Sequence, residues 1–82
     1  MDVITALRTQ IDELDNQLMI LLEKRYDLSL AIGEEKMRNK RAIMDSTREQ
    51  QIFEKISQFS HYPQITEVYK TIISESRSLQ RK

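Results

Sequence analysis

Apolar residues recur along the first part of the chain at Ile4, Leu7, Ile11, Leu14, Leu18, Leu21, Leu28 and Ile32. The steps alternate between threes and fours, with one gap between Leu21 and Leu28. A seam of this kind predicts one long helix laid against others. Asp2 stands where it can cap the start, and the pattern continues to about Asn39. Gly33 interrupts it, at about 1 kcal/mol relative to alanine. That glycine is either a tolerated defect or the close approach of a neighbouring helix. A second helix is expected from near Ser46 to around Ser57 to Phe59, with Ile52, Phe53, Ile56 and Phe59 as its apolar face. Ser46 and Glu49 have the spacing of a capping box. The stretch SHYP then breaks the pattern. Pro63 suits the first turn of a third helix, which carries Ile65, Val68, Tyr69, Ile72, Ile73 and Leu79 and runs to the C-terminus.

Composition sharpens this picture. One glycine and one proline in 82 residues leave too few turn-formers for a strand-rich chain, so the expected fold is all-α with few connections. The length suggests a single domain over residues 1–82. No cysteine is present, which excludes disulfides and thiolate metal sites, and a lone histidine, His61, cannot build a metal site. Lys+Arg and Asp+Glu number 13 each, so net charge gives no reason to expect nucleic acid or an anionic membrane. No apolar run is long enough to cross a bilayer, and MDVITALRTQ lacks the regions of a signal peptide. The expected setting is cytoplasmic.

The first helix creates a length problem. At 1.5 Å per residue it would extend about 54 Å. A compact domain of this size has a radius of gyration of only about 12 Å. The two shorter helices cannot cover such a seam, and the simplest cover is a second copy. A homodimer built on the long helices is therefore expected.

The apolar faces also carry polar groups. Arg25 fills the gap in the first seam. Lys36 follows eleven residues later, about 20° round the same face. Arg48 and Glu49 extend the face of Ile52, Phe53 and Ile56 backwards. Ser76 and Gln80 extend the third stripe forwards, in steps of four from Ile72. Each has an ordinary explanation: Arg25 could snorkel or pair with Glu23 or Asp27, Glu49 could complete its capping box, and Arg8 could pair with Asp12. Together they weigh differently. Three inward cations are costly to bury without an anion, and only Glu49 and Asp45 are at hand. The surplus calls for an anionic ligand, with carboxylates to match the arginine forks. There is no serine–histidine or cysteine–histidine pattern, no phosphate loop and no cofactor motif. A reaction driven by positioning and electrostatics alone suits such a pocket.

The segments LRTQIDELDNQLMILLEKR, IGEEKMRNKRAIMDSTRE and IISESRSLQ resemble those of the all-α chorismate mutases, including the mutase domain fused to prephenate dehydratase in bacteria. The resemblance covers nearly the whole chain. It implies an intertwined homodimer with two active sites, converting chorismate to prephenate by a cofactor-free Claisen rearrangement. It also implies roles: Arg25 and Arg48 in a cationic wall, Lys36 on a carboxylate and the ether oxygen, and Gln80 donating to that same oxygen. Glu49 and the backbone of Asp45 would hold the ring hydroxyl, Ser76 would support a carboxylate, and Arg8 would reach the site of the other subunit. Arg8 and Arg25 lie about 25 Å apart along one helix, too far for one small ligand to bridge. A fused or partner pathway enzyme is a further implied partner. Two alternatives stay open: an isochorismate pyruvate-lyase on the same fold, and a non-catalytic regulatory or dimerisation module. Glu49 and Ser76 favour the mutase over the lyase.

Overall fold

A computed structural model describes residues 2–82, and the chain is all-α. Helix α1 spans Val3–Arg38, α2 spans Ser46–Ile56 and α3 spans Tyr62–Gln80. None of these helices is long and apolar enough to cross a membrane.

Local chemistry sets the helix ends. The Asp2 carboxylate accepts from the Thr5 amide at 2.8 Å and so caps α1. That bond also holds the Asp2 carboxyl below the usual carboxylate range. At the other end, the Arg41 amide donates to the Lys36 carbonyl at 2.8 Å and the Lys40 amide to the Met37 carbonyl. These are the two bonds of a Schellman motif. The motif needs a left-handed residue, and Lys40 takes that conformation with φ of 55° although it is not glycine. Pro63 sits in the first turn of α3 as the sequence predicts.

The start of α2 corrects the sequence reading. Its cap is Asp45, not Ser46: the Asp45 carboxylate accepts from the Arg48 amide at 3.0 Å. Ser46 becomes the first helical residue, and no capping box forms with Glu49. The Glu49 side chain is thereby left for a partner on another helix. At its far end, α2 stops at Ile56 with Ser57 as cap, at the near edge of the expected range.

Helix α3 is the hub. It packs on the C-terminal half of α1 and on α2, with no comparable contact between α1 and α2 among the described residues. Arg25 lies near Tyr69 and Ser76, and Lys36 near Gln80, so α1 and α3 run parallel. Small residues allow the close crossing: Ser29, Gly33 and Ser76 are all buried there. A Cβ added at Gly33 would stand 2.5 Å from the Gln80 carbonyl oxygen and 2.6 Å from its Cα. Gly33 thus marks a helix contact rather than a tolerated defect.

The core is small. Only Ile56, Ile72 and Ile73 are buried apolar residues among those described. The long axis measures 56 Å, which is α1 itself, and the radius of gyration is 16.1 Å against the ~12 Å of a compact domain. Within the single chain the α1 seam stays uncovered, from Ile4 at 62% exposure through Leu14 at 57% to Leu28 at 64%.

The Gly33 contact makes a prediction. In an unobstructed helix Gly33→Ala would be stabilising. Here the new methyl group meets the backbone of Gln80, which no rotamer can move aside. Gly33→Ala should lower stability by about 1–3 kcal/mol, the usual cost of overpacking. Thermal unfolding followed by far-ultraviolet circular dichroism measures it, and a raised Tm would contradict the proposed contact.

Candidate active site

A cleft of about 390 Å³ opens where the C-terminal halves of α1 and α3 meet α2 and the loop before it. Its size falls in the range of small-molecule sites. Of the eight residues predicted to bind a ligand, seven line it: Arg25, Lys36, Asp45, Arg48, Glu49, Ser76 and Gln80. Arg8 does not. It is exposed on the N-terminal half of α1, 17 residues before Arg25.

Lys36 is anchored from two directions. Its Nζ donates to the Ile43 carbonyl at 2.7 Å and to Gln80 Oε1 at 2.8 Å. The Schellman turn after α1 makes the first bond possible, because it folds the chain back so that Ile43 faces Lys36. The second bond fixes the amide of Gln80. An ammonium only donates, so the amide oxygen faces Lys36 and the amide NH₂ is free to donate elsewhere. Lys36 has three donors and keeps one unspent.

Arg25 is held in a similar way. Its Nη1 donates to Ser76 Oγ at 2.6 Å, and its guanidinium carbon lies 5.9 Å from the centre of the Tyr69 ring. It pairs with neither Glu23 nor Asp27 within ion-pair distance. Tyr69 thus supports a cation as well as packing. One turn along, Ser29 Oγ donates to the Arg25 carbonyl at 3.1 Å, which satisfies a buried hydroxyl.

Two charged cleft residues escaped sequence reasoning. Arg41, in the loop after α1, and Arg77, on α3, also line it. Arg77 Nε donates to Glu49 Oε2 at 2.9 Å, and its Nη2 bonds the other oxygen, Oε1. That hydrogen bond raises the Arg77 pKa above the ordinary arginine value. A signal for Arg77 was present: it stands four residues after Ile73, the same step that leads from Ile72 to Ser76.

The electrostatic sum follows. Five cations (Arg25, Lys36, Arg41, Arg48 and Arg77) face two carboxylates, Asp45 and Glu49. Glu49 is matched by Arg77, and Asp45 is turned toward the start of α2. Four cations are left without a carboxylate partner, and five cations against two carboxylates give the cleft a net charge of +3 around a half-enclosed space. Such a site suits a small polyanion, and its free donors are concentrated on Lys36, Gln80 and the arginines.

A bifunctional chorismate mutase/prephenate dehydratase of Aquifex aeolicus is 34% identical over 90 residues, covering 100% of this chain and 25% of that protein. The protein of the same description from Escherichia coli K12 is 32% identical over 78 residues, covering 87% of this chain and 20% of its own length. The chain therefore spans a quarter or less of the length of these relatives. A solved structure, a conserved hypothetical protein from Pyrococcus furiosus, superposes with a TM-score of 0.85 at 31% identity, covering 99% of both chains. The family described as chorismate mutase type II matches residues 7–81, which include every cleft residue discussed above, and the chain belongs to that family.

Proposed function

We propose that this chain converts chorismate to prephenate, as a homodimer in which each cleft is completed by Arg8 from the other copy. The observation that carries the reading is the Lys36–Gln80 pair. One N–H of Lys36 and the NH₂ of Gln80 remain free beside each other, one on α1 and one on α3. Two such donors can converge on one oxygen.

The chemistry fits those donors. In chorismate a carbon–oxygen ether bond breaks while a carbon–carbon bond forms, in one cyclic shift of electrons within a single molecule. No proton enters or leaves, so no general base or nucleophile is needed. Negative charge grows on the ether oxygen as its bond stretches. Lys36 and Gln80 donate to that oxygen more strongly in the transition state than in the ground state, which is the condition for raising kcat. Arg25, supported by Ser76 and Tyr69, takes one carboxylate, and Arg48 belongs to the same cationic wall. Together they hold the substrate in its folded, reactive shape. Glu49 accepts from the ring hydroxyl, with the backbone of Asp45 beside it.

Dimerisation follows from two separate needs. The uncovered α1 seam needs an apolar partner, and Arg8 is too far from Arg25 to serve the same ligand from the same chain. An intertwined pair meets both by laying the N-terminal half of α1 against the other copy's cleft. A fused or partner enzyme is a further proposal, supported by relatives that carry a prephenate dehydratase.

Purified protein should consume chorismate, seen as loss of its ultraviolet absorbance, with prephenate as product. Salicylate and pyruvate from isochorismate would instead indicate the lyase, and no turnover of either would leave a binding module. Gln80→Glu tests the mechanism. An ionised carboxylate has no proton to donate and repels the developing charge, whereas a protonated one donates much as the amide does. A glutamate titrates near ~4.3 in model peptides. The variant should be weak at neutral pH and recover as pH falls from about 8 toward about 4.5, while the parent shows no such rise. Parallel profiles would remove Gln80 from the reacting oxygen. Sedimentation equilibrium should give twice the 9.8 kDa chain mass at micromolar concentration. A folded, active monomer would contradict the shared site.

A further inference from the structure

The ion pair between Arg77 and Glu49 differs from the other two ion pairs among the described residues. Arg38–Glu35 and Lys70–Glu67 are exposed pairs within one helix, three residues apart. Arg77–Glu49 joins α3 to α2 across 28 residues of sequence, and its carboxylate side chain is only 16% exposed. Both carboxylate oxygens are engaged by two nitrogens of one guanidinium.

Helix geometry explains how Arg77 reaches it. Successive residues turn about 100° around a helix. Ser76 and Gln80 share the α3 edge that faces α1, so Arg77 points roughly one quarter-turn away, toward α2. One turn of α3 thereby serves both neighbours. Without Arg77, the Glu49 carboxylate would stand in a cleft with four other cations and no fixed partner. It could collapse onto Arg48, Arg25 or Lys36 and cancel a charge meant for the ligand. A bidentate fork fixes the carboxylate in both position and plane.

We infer that Arg77 is a positioning residue: by its bidentate bond it aims the Glu49 carboxylate at the ligand hydroxyl and keeps that carboxylate off the anion-binding cations. This rests on the chorismate mutase reading. Arg77 acts through Glu49 and touches no reacting atom. A carboxylate held by one arginine retains lone pairs to accept a hydroxyl.

The test is a double-mutant cycle on the intact protein, with Arg77→Met, Glu49→Gln, the double variant and Arg77→Lys. Methionine keeps the stem and removes the fork. At a temperature where circular dichroism shows each variant folded, Arg77→Met should lower kcat/KM for chorismate by on the order of 10-fold. The double variant should be no worse than Glu49→Gln alone, because Arg77 has nothing left to position. Arg77→Lys should recover part of the loss, since lysine supplies the charge without the fork. A structural role alone would lower Tm and leave kcat/KM at the parental value. That result, or losses that multiply in the double variant, would overturn the assignment of Arg77 while leaving the activity in place. Absence of chorismate turnover in the parent would overturn the activity and this inference together.

Discussion

A lysine ammonium turned toward the inside of a small helical protein has to be hydrogen-bonded, and Lys36 meets that requirement from two directions. The Ile43 carbonyl and the Gln80 side chain both accept from it. Those two bonds tie α1 to the loop that precedes α2 and to the last turn of α3. The Schellman turn at Lys40 brings Ile43 back, and the absence of a side chain at Gly33 lets the Gln80 backbone come close enough for its amide to reach. A turn, a glycine and a helix end thus converge on one ammonium. The bonds that satisfy Lys36 also aim the free donors of Lys36 and Gln80 into the same cleft.

The rest of the cleft follows a related logic at lower cost. Arg25 is supported by Ser76 and by the ring of Tyr69, while Glu49 is neutralised by Arg77. Each bond spans two helices, so the polar site contributes to packing that three buried isoleucines alone would leave weak. The surplus positive charge is a stability cost that a polyanionic ligand offsets by binding. The apolar seam of α1 is a second such cost, and the proposed dimer offsets it by burial, at roughly 25 cal/mol per Å² of apolar surface. Both imbalances of the single chain point to what it binds.

Much of this was legible in the sequence, because periodicity and punctuation carry it. The seam from Ile4 to Ile32 gave the long helix, Asp2 its cap, and Pro63 the start of α3. Six cleft residues (Arg25, Lys36, Arg48, Glu49, Ser76 and Gln80) were found because each fills or extends an apolar stripe with a polar group, and Asp45 came only from the resemblance. Two things were hidden. Asp45 and Ser46 are both good caps, adjacent in sequence, and only the conformation of the turn chooses Asp45. That choice dissolves the capping box and leaves Glu49 for Arg77. Arg77 itself was overlooked because an arginine near the end of a surface helix is ordinarily solvated. Its partner lies on a different helix, and no local spacing encodes a contact across 28 residues.

The proposed active site is one that a single chain cannot complete. Arg8→Ala and Arg25→Ala should each be nearly inactive, since each removes a cation from every cleft of its own dimer. If Arg8 is supplied by the other copy, a mixed dimer has one cleft with both defects and one with neither. Mixing equal amounts of the two variants, with subunit exchange verified by native mass spectrometry, should restore about a quarter of the parental chorismate turnover, as random pairing in a two-fold dimer requires. Activity that stays at the level of the separate variants after full exchange would show that Arg8 does not complete its partner's cleft.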